Sequence, residues 1–223
     1  MKEAVWNRSE PVSATPRSVL SAESFIRLSG LALVIGSAVS VVFLLVGALF
    51  NGDIYVTSQY LLAAATVLLL LGLPGVYASR AQGFGVVGLI GVAFVFIESE
   101  MVGVFGNLYG AMVDPWLATE APKLASGFGP PPLFAYYNVA EVALVVGCVL
   151  LAIPILRGRV SPRWPAIVLL LSVPIGVVLF FLIPSLTSTV ATSLLAQVPA
   201  ILLLAALAGL GYQAWSKPAV SAD

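Results

Sequence analysis

The sequence predicts an all-α integral membrane protein built as a bundle of six transmembrane helices, with both termini on the cytoplasmic side. Three observations lead to this prediction. The 223-residue chain is 60% hydrophobic and only 9% charged, against about 25% charged in a typical soluble domain. Its apolar stretches run to about twenty residues, which is enough for a helix to cross the hydrocarbon core of a bilayer. Its basic residues fall almost entirely in alternate connecting segments.

Residues 1–27 are predicted to form a cytoplasmic N-terminal tail, because this segment is polar and is broken by Pro11 and Pro16. From Ser18 the run SVLSAESFIRL can form a helix with one apolar side, which we expect to lie along the membrane surface. The tail is not interpreted as a cleavable signal peptide. Its positively charged region and the apolar run that follows are both too long for one.

The membrane domain is predicted to occupy residues 28–213, and 214–223 form a short cytoplasmic tail. Asn51-Gly52-Asp53 closes the first apolar stretch and Arg80 stops the second. The six predicted spans are 28–50, 57–78, 84–106, 134–156, 165–183 and 190–212. The long connection between the third and fourth spans is expected to contain a short helix that starts at Pro115 and is capped by Asp114.

The basic residues predict the orientation of this domain. When connections are assigned alternately to the two sides, nine of the ten Lys and Arg residues share one side, and only Lys123 lies on the other. The positive-inside rule then places both termini and the connections after spans two and four in the cytoplasm. Size and composition are typical of small multi-pass proteins of prokaryotic cytoplasmic membranes, and we predict that location.

The composition excludes several kinds of chemistry. The chain has no histidine and a single cysteine, Cys148, so His-liganded zinc, b-type haem and thiol pairs are ruled out. It has no HExxH or GxSxG motif, and its three aspartates fall outside the predicted spans. A net charge of zero gives no indication of nucleic-acid binding. We therefore predict no catalytic residue, bound metal or cofactor, although a metal-dependent transferase using Glu98 or Glu100 stays open.

Carboxylates inside the apolar stretches are the most informative polar residues. Glu98 and Glu100 lie in the third span and Glu141 lies in the fourth. An acid at the centre of a spanning helix costs about 2.5–3.5 kcal/mol on the insertion scale for aspartate, so such residues need partners. With 1.5 Å of rise per residue, all three acids fall at similar depth in the outer half of the bilayer.

These acids and nearby amides form the predicted site. Seven residues separate Glu100 from Asn107, which places them on one face of an α-helix, and Asn138 shares a face with Glu141. We expect these two faces to meet and Glu98 to turn towards the sixth span. The predicted ligand- or ion-binding residues are Glu98, Glu100, Glu141, Asn107, Asn138 and Gln197.

Two functional interpretations follow. In the first, the chain is a non-catalytic membrane component (a sensor, accessory subunit or scaffold) with a polar acidic site in the outer half of its bundle. In the second, it is a cation- or proton-linked transporter of a small molecule that uses Glu98, Glu100 and Glu141. The expected partners are the lipid bilayer, a small cation, proton or amine, and either a second copy of the chain or a membrane protein.

Overall fold

A computed structural model of the chain describes residues 21–50, 52–121, 131–158, 162–183 and 190–216. This part is almost entirely helical and contains no strand. Five of its helices are long and apolar enough to cross a membrane, and a further apolar segment, Trp164–Leu179, is shorter. The all-α fold class is thus confirmed, and the apolar helices indicate a membrane-embedded protein. The predicted count of six spans is not confirmed.

The helices follow the predicted spans in chain order. α1 is Ala22–Leu49 and α2 is Asp53–Ala78. α3, Ala81–Glu98, runs directly into an eight-residue π-helix, Ser99–Gly106, named here the π-segment. The remaining helices are α4 (Asn107–Met112), α5 (Asp114–Glu120), α6 (Pro131–Arg157), α7 (Trp164–Leu182), α8 (Val190–Ala196) and α9 (Val198–Ser216).

The first helix starts earlier than predicted. The Ser21 side chain caps α1 by accepting a hydrogen bond of 3.1 Å from the backbone N–H of Ser24. One turn on, Glu23 and Arg27 form an i,i+4 ion pair of 2.7 Å. Residues 22–27 therefore begin the long helix, and the prediction of a separate surface helix is corrected. The rest of the predicted tail, residues 1–20, lies outside the described residues.

Two other predicted spans have different ends in the structure. The third continues as helix beyond 106 to Glu120, with a turn at Val113, so Asp114 lies in the first turn of α5 instead of capping it. The sixth is divided at Gln197 into α8 and α9. Pro199 explains this division, because it has no backbone N–H to continue the hydrogen-bond ladder and fits best in the first turn of a new helix.

The long helices form a ring in which each contacts its two neighbours. The order around this ring is α1, α2, α3, α6, α7 and α9, which returns to α1. Glycines let the backbones approach closely. A β carbon on Gly91 would lie 2.6 Å from the backbone nitrogen of Leu151, and one on Gly30 would lie 2.6 Å from the carbonyl of Gly211.

Packing differs between the two ends of the ring. The end at the α2–α3 turn, called the Arg80 end, holds most of the large buried side chains. The opposite end, called the Gly110 end, buries mainly small residues. Large side chains that are fully buried towards the Arg80 end include Leu33, Leu73, Leu151, Ile155, Leu169 and Leu207. The small residues buried towards the Gly110 end include Ser58, Ala63, Gly110, Ala111 and Ala140.

The Arg80 end also gathers the basic residues of the described chain. Arg27, Arg157 and Arg163 lie there with Arg80, because α1 and α7 start at this end and α6 finishes at it. Arg80 donates a hydrogen bond to the side-chain oxygen of Gln213 and so links the α2–α3 turn to α9. Burial lowers the pKa of its guanidinium from the usual value, and the group stays charged at neutral pH.

Candidate functional site

The structure brings one acid of α3 to one acid of α6. Glu98 is the last residue of α3, and its carboxyl group is surrounded by protein although the residue keeps some accessible surface. This carboxyl interacts electrostatically with Glu141 and with the Cys148 thiol, two turns further along α6. The Ser99 hydroxyl donates to it over 3.4 Å. Glu98 therefore lies towards the fourth predicted span, and the prediction that it turns towards the sixth span is wrong.

Gln197 lies in another part of the ring. It occupies the break between α8 and α9, and these two helices pack against α1 and α7. Its backbone carbonyl accepts the N–H of Ile201 at 2.9 Å and so starts the hydrogen-bond ladder of α9.

Glu100 lies on the exposed side of the π-segment. Its carboxyl interacts electrostatically with the hydroxyl of Tyr136 on α6. Gly103, one turn further, faces α2 instead, since a β carbon there would lie 2.5 Å from the methyl carbon of Thr66. The π-segment thus contacts α6 on one side and α2 on the other.

The predicted amides donate to backbone carbonyls of their own stretch of the chain. The Asn107 amide donates to the carbonyl of Gly103 at 2.5 Å, and the Asn138 amide donates to the carbonyl of Phe134 at 2.7 Å. In each case the acceptor lies four residues earlier, which is the nearest carbonyl available to a short side chain on a helix. The expected meeting of the two polar faces required the Asn107 and Asn138 amides to bond to the acids. In the structure both amides bond to backbone carbonyls instead.

The π-segment was not predicted from the sequence. Its hydrogen bonds run from residue i to i+5, so its turns are wider than those of an α-helix and each residue rotates through a smaller angle. The predicted directions of Glu100 and Asn107 assumed α-helical rotation. The Tyr136 hydroxyl donates to the carbonyl of Met101 within this segment at 3.0 Å. Wide turns of this kind are frequent at functional sites.

A second polar group, at the Gly110 end, was also missed. The side chains of Tyr55 and Gln59 from α2 and of Asp114 from α5 point towards Gly110. The hydroxyl of Tyr137 on α6 lies nearby, beside Gly106, and interacts electrostatically with Asp114. The four-residue spacing of Tyr55 and Gln59 could have shown that they share a helix face.

These acids lack a basic partner in the described part of the chain. The ion pair of Glu23 with Arg27 is at the Arg80 end, and so are the other described arginines. Across the described ranges, no group of three or more His, Cys, Asp or Glu side chains is placed to hold a metal ion. The arrangement can therefore accept a proton or a cation that brings its own positive charge.

Comparison of the chain with protein-family models, with curated proteins and with solved structures finds no match. Two groups of described residues therefore remain as candidate sites. One is Glu98 with Glu141, called the acid pair, and the other is the polar group around Gly110. Both lie in the half of the ring that is further from Arg80.

Proposed function

We propose that the protein is a non-catalytic multi-pass component of the prokaryotic cytoplasmic membrane, acting as a sensor, accessory subunit or scaffold. Its acidic site in the outer half of the bundle takes up a proton or a small cation. The interaction of the Glu98 and Glu141 carboxyls across α3 and α6 supports this proposal. Two neighbouring carboxylates repel each other, and a shared proton or a bound cation removes that repulsion.

The proposed topology has six spans with both termini in the cytoplasm. Six helices form the ring, and the described arginines lie together at the Arg80 end, which is the pattern of a cytoplasmic face. Reporter fusions after Gly52, Glu120 and Ser216 test it. We expect the first two to report the outer side and the third the cytoplasm. A fusion after Glu120 that reports the cytoplasm would contradict this topology.

The site is tested with the detergent-purified full chain. We expect a small metal cation such as Na⁺ or K⁺ to raise the thermal unfolding temperature of the wild type. Glu98→Gln and Glu141→Gln should both lose this response, because each removes one charge of the pair and preserves the shape of the side chain. Glu120→Gln is the control, since Glu120 is the last residue of α5 and is not part of the Glu98–Glu141 pair. If all three variants respond like the wild type, the acid pair is not the site.

The π-segment favours a second candidate function, cation- or proton-linked transport. It directly follows Glu98 and carries Glu100, and a π-helical turn can return to α-helix by shifting its hydrogen bonds, which rotates the side chains beyond it. Flux of protons, Na⁺ or K⁺ into proteoliposomes distinguishes the two functions. Flux that Glu98→Gln abolishes supports transport. Cation binding without flux supports the non-catalytic component.

A further inference from the structure

Three side-chain oxygen atoms converge on one point beside Gly110. A β carbon built on this glycine would lie 3.6 Å from the Tyr55 hydroxyl, 3.7 Å from Asp114 Oδ2 and 3.9 Å from Gln59 Oε1. Gly110 itself is buried. The absence of its side chain therefore leaves a small cradle whose wall consists of hydrogen-bond acceptors from α2 and α5.

The oxygen atoms around this cradle do not hydrogen-bond to one another. Among the described residues, no hydrogen bond joins the Tyr55 hydroxyl, the Gln59 amide oxygen or the Asp114 carboxylate to each other or to another side chain. Asp114 nevertheless lies close enough to interact electrostatically with Tyr55 and Tyr137. Asp114 is exposed and Tyr55 and Gln59 are partly exposed, so their oxygen atoms stay accessible to a group that enters the cradle from outside.

The chemistry of the cradle selects a cation that donates hydrogen bonds. Asp114 supplies the negative charge, and the described arginines lie at the opposite end of the ring. A primary ammonium group carries one positive charge and three N–H donors, which matches three acceptors around one point. A hard metal ion such as Ca²⁺ takes about 6–8 oxygen ligands, more than this cradle offers.

Aromatic rings continue from the cradle. A β carbon on Gly106 would lie 3.4 Å from the Tyr137 ring and its hydroxyl. The Tyr137 ring meets that of Tyr136 at a centroid distance of 5.7 Å, and Tyr136 meets Phe105 at 5.3 Å. Ring faces attract cations and also cover the apolar body of an amine. Trp116, 58% exposed on α5, is of the residue type that lies at the headgroup level of a bilayer.

From this geometry we propose that Tyr55, Gln59 and Asp114 bind a primary ammonium group at Gly110. Two sources carry this group: an amine-bearing lipid headgroup such as that of phosphatidylethanolamine, and a soluble organic amine. The proposal does not rest on the function proposed for the acid pair. Gly110 is twelve residues beyond Glu98, and the whole π-segment lies between them, so the two sites can be altered separately.

The first experiment tests the ammonium chemistry with the purified full chain in detergent. Ethylammonium is titrated by calorimetry, and tetramethylammonium, which has the charge but no N–H donor, is the comparison. We expect saturable binding of ethylammonium and at least about tenfold weaker binding of tetramethylammonium, because three charge-assisted hydrogen bonds are lost. Equal binding of the two cations would overturn the proposal, as would binding of neither.

Matched variants test the place of binding. Gly110→Ala puts a methyl group in the cradle at ordinary van der Waals distances from the oxygens, so the protein should fold while ethylammonium binding falls at least tenfold. Asp114→Asn should weaken binding similarly by removing the charge. Gly83→Ala is the control, since a β carbon at Gly83 would meet nothing within 4 Å. If Gly110→Ala unfolds at the wild-type temperature and still binds like the wild type, the site is elsewhere.

Nanodiscs distinguish the two sources. The wild type and Gly110→Ala are compared in phosphatidylcholine discs with and without phosphatidylethanolamine, and bound lipid is counted by native mass spectrometry. Retention of phosphatidylethanolamine by the wild type and its loss in Gly110→Ala assign the site to the lipid. Ethylammonium binding that is equal in both kinds of disc assigns it to a soluble amine. If Gly110→Ala changes neither lipid retention nor ethylammonium binding, the proposal fails whatever the outcome for Glu98 and Glu141.

Discussion

Gly91 and Gly110 have opposite surroundings although both are buried glycines of the third helical stretch. Gly91 lies against the backbone of α6, where an added β carbon would lie 2.6 Å from the nitrogen of Leu151 and 2.9 Å from the carbonyl carbon of Leu150. Backbone atoms cannot move aside without displacing the whole helix. At Gly110 the neighbours are the ends of side chains, at ordinary contact distance. The first glycine therefore sets a distance between two helices, and the second leaves space for a ligand.

We predict that Gly91→Ala lowers the free energy of unfolding by about 1–3 kcal/mol, because the methyl group forces α3 and α6 apart. The measurement is unfolding of the protein in mixed micelles by denaturing detergent. Gly83→Ala, which lies before the kink at Gly85 and has open space around its β carbon, should be close to neutral. Equal effects of the two changes would show that α3 and α6 do not pack through Gly91.

The π-segment is held in part by a hydrogen bond from another helix, α6. The hydroxyl of Tyr136 donates to the carbonyl of Met101, and the Asn107 amide occupies the carbonyl of Gly103. These two bonds give two carbonyl groups of the π-segment a side-chain donor. The wide turns are thus stabilised partly by side chains, which an isolated helix would lack.

Tyr136→Phe should therefore loosen the π-segment. We expect a loss of about 0.5–1.5 kcal/mol in the free energy of unfolding, the usual contribution of one hydrogen bond. Backbone amides of residues 99–106 should also exchange faster in hydrogen–deuterium exchange. Tyr137→Phe is the matched control, because the neighbouring hydroxyl makes no hydrogen bond to another described residue. If both variants accelerate exchange equally, the Met101 contact does not hold the segment.

The sequence predicts the elements well where hydropathy alone decides them, and less well where side chains bond to the backbone. The centres of all six predicted stretches are helical, since each must bury its own backbone polar groups. The common depth predicted for Glu98 and Glu141 depends only on the rise per residue, and it stays a prediction. Their predicted directions depended on uniform α-helical rotation, and the π-segment breaks that condition. The early start of α1 depends on the Ser21 cap, a local bond that hydropathy does not include.

For the whole molecule, the order of the helices around the ring could not be predicted, because it depends on close contacts such as Gly91 with Leu151. The pattern of basic residues nevertheless indicated that the start of the first helix, the turn after the second and the link after the fourth lie at one end. The structure gathers these segments at the Arg80 end. The contrast in packing between the two ends was not visible in composition, since apolar residues occur along the full length of every helix.

This contrast predicts an uneven response to mutation along a single helix. Leu73 of α2 is 1% exposed near the Arg80 end and belongs to the main apolar cluster, whereas Leu62 of the same helix is 6% exposed near the Gly110 end and lies outside that cluster. We expect Leu73→Ala to cost about 2–5 kcal/mol in unfolding free energy, because it leaves a cavity in a close-packed region. Leu62→Ala should cost less, because fewer large side chains surround it. Similar losses would mean that both halves of the ring are packed alike.

The unequal helix lengths of the ring have a consequence for the surrounding lipid. α1 has 28 residues and α9 has 19, which correspond to about 42 Å and about 28 Å of axial length. The hydrocarbon core of a typical bilayer is about 30 Å thick. The first turns of α1 carry the Glu23–Arg27 ion pair, so its apolar part is 28–49, about 33 Å long. A bilayer that fits α9 alone is slightly thinner than this, and a slight tilt of α1 accommodates the difference. The protein should accordingly hold α1 inclined to the bilayer normal.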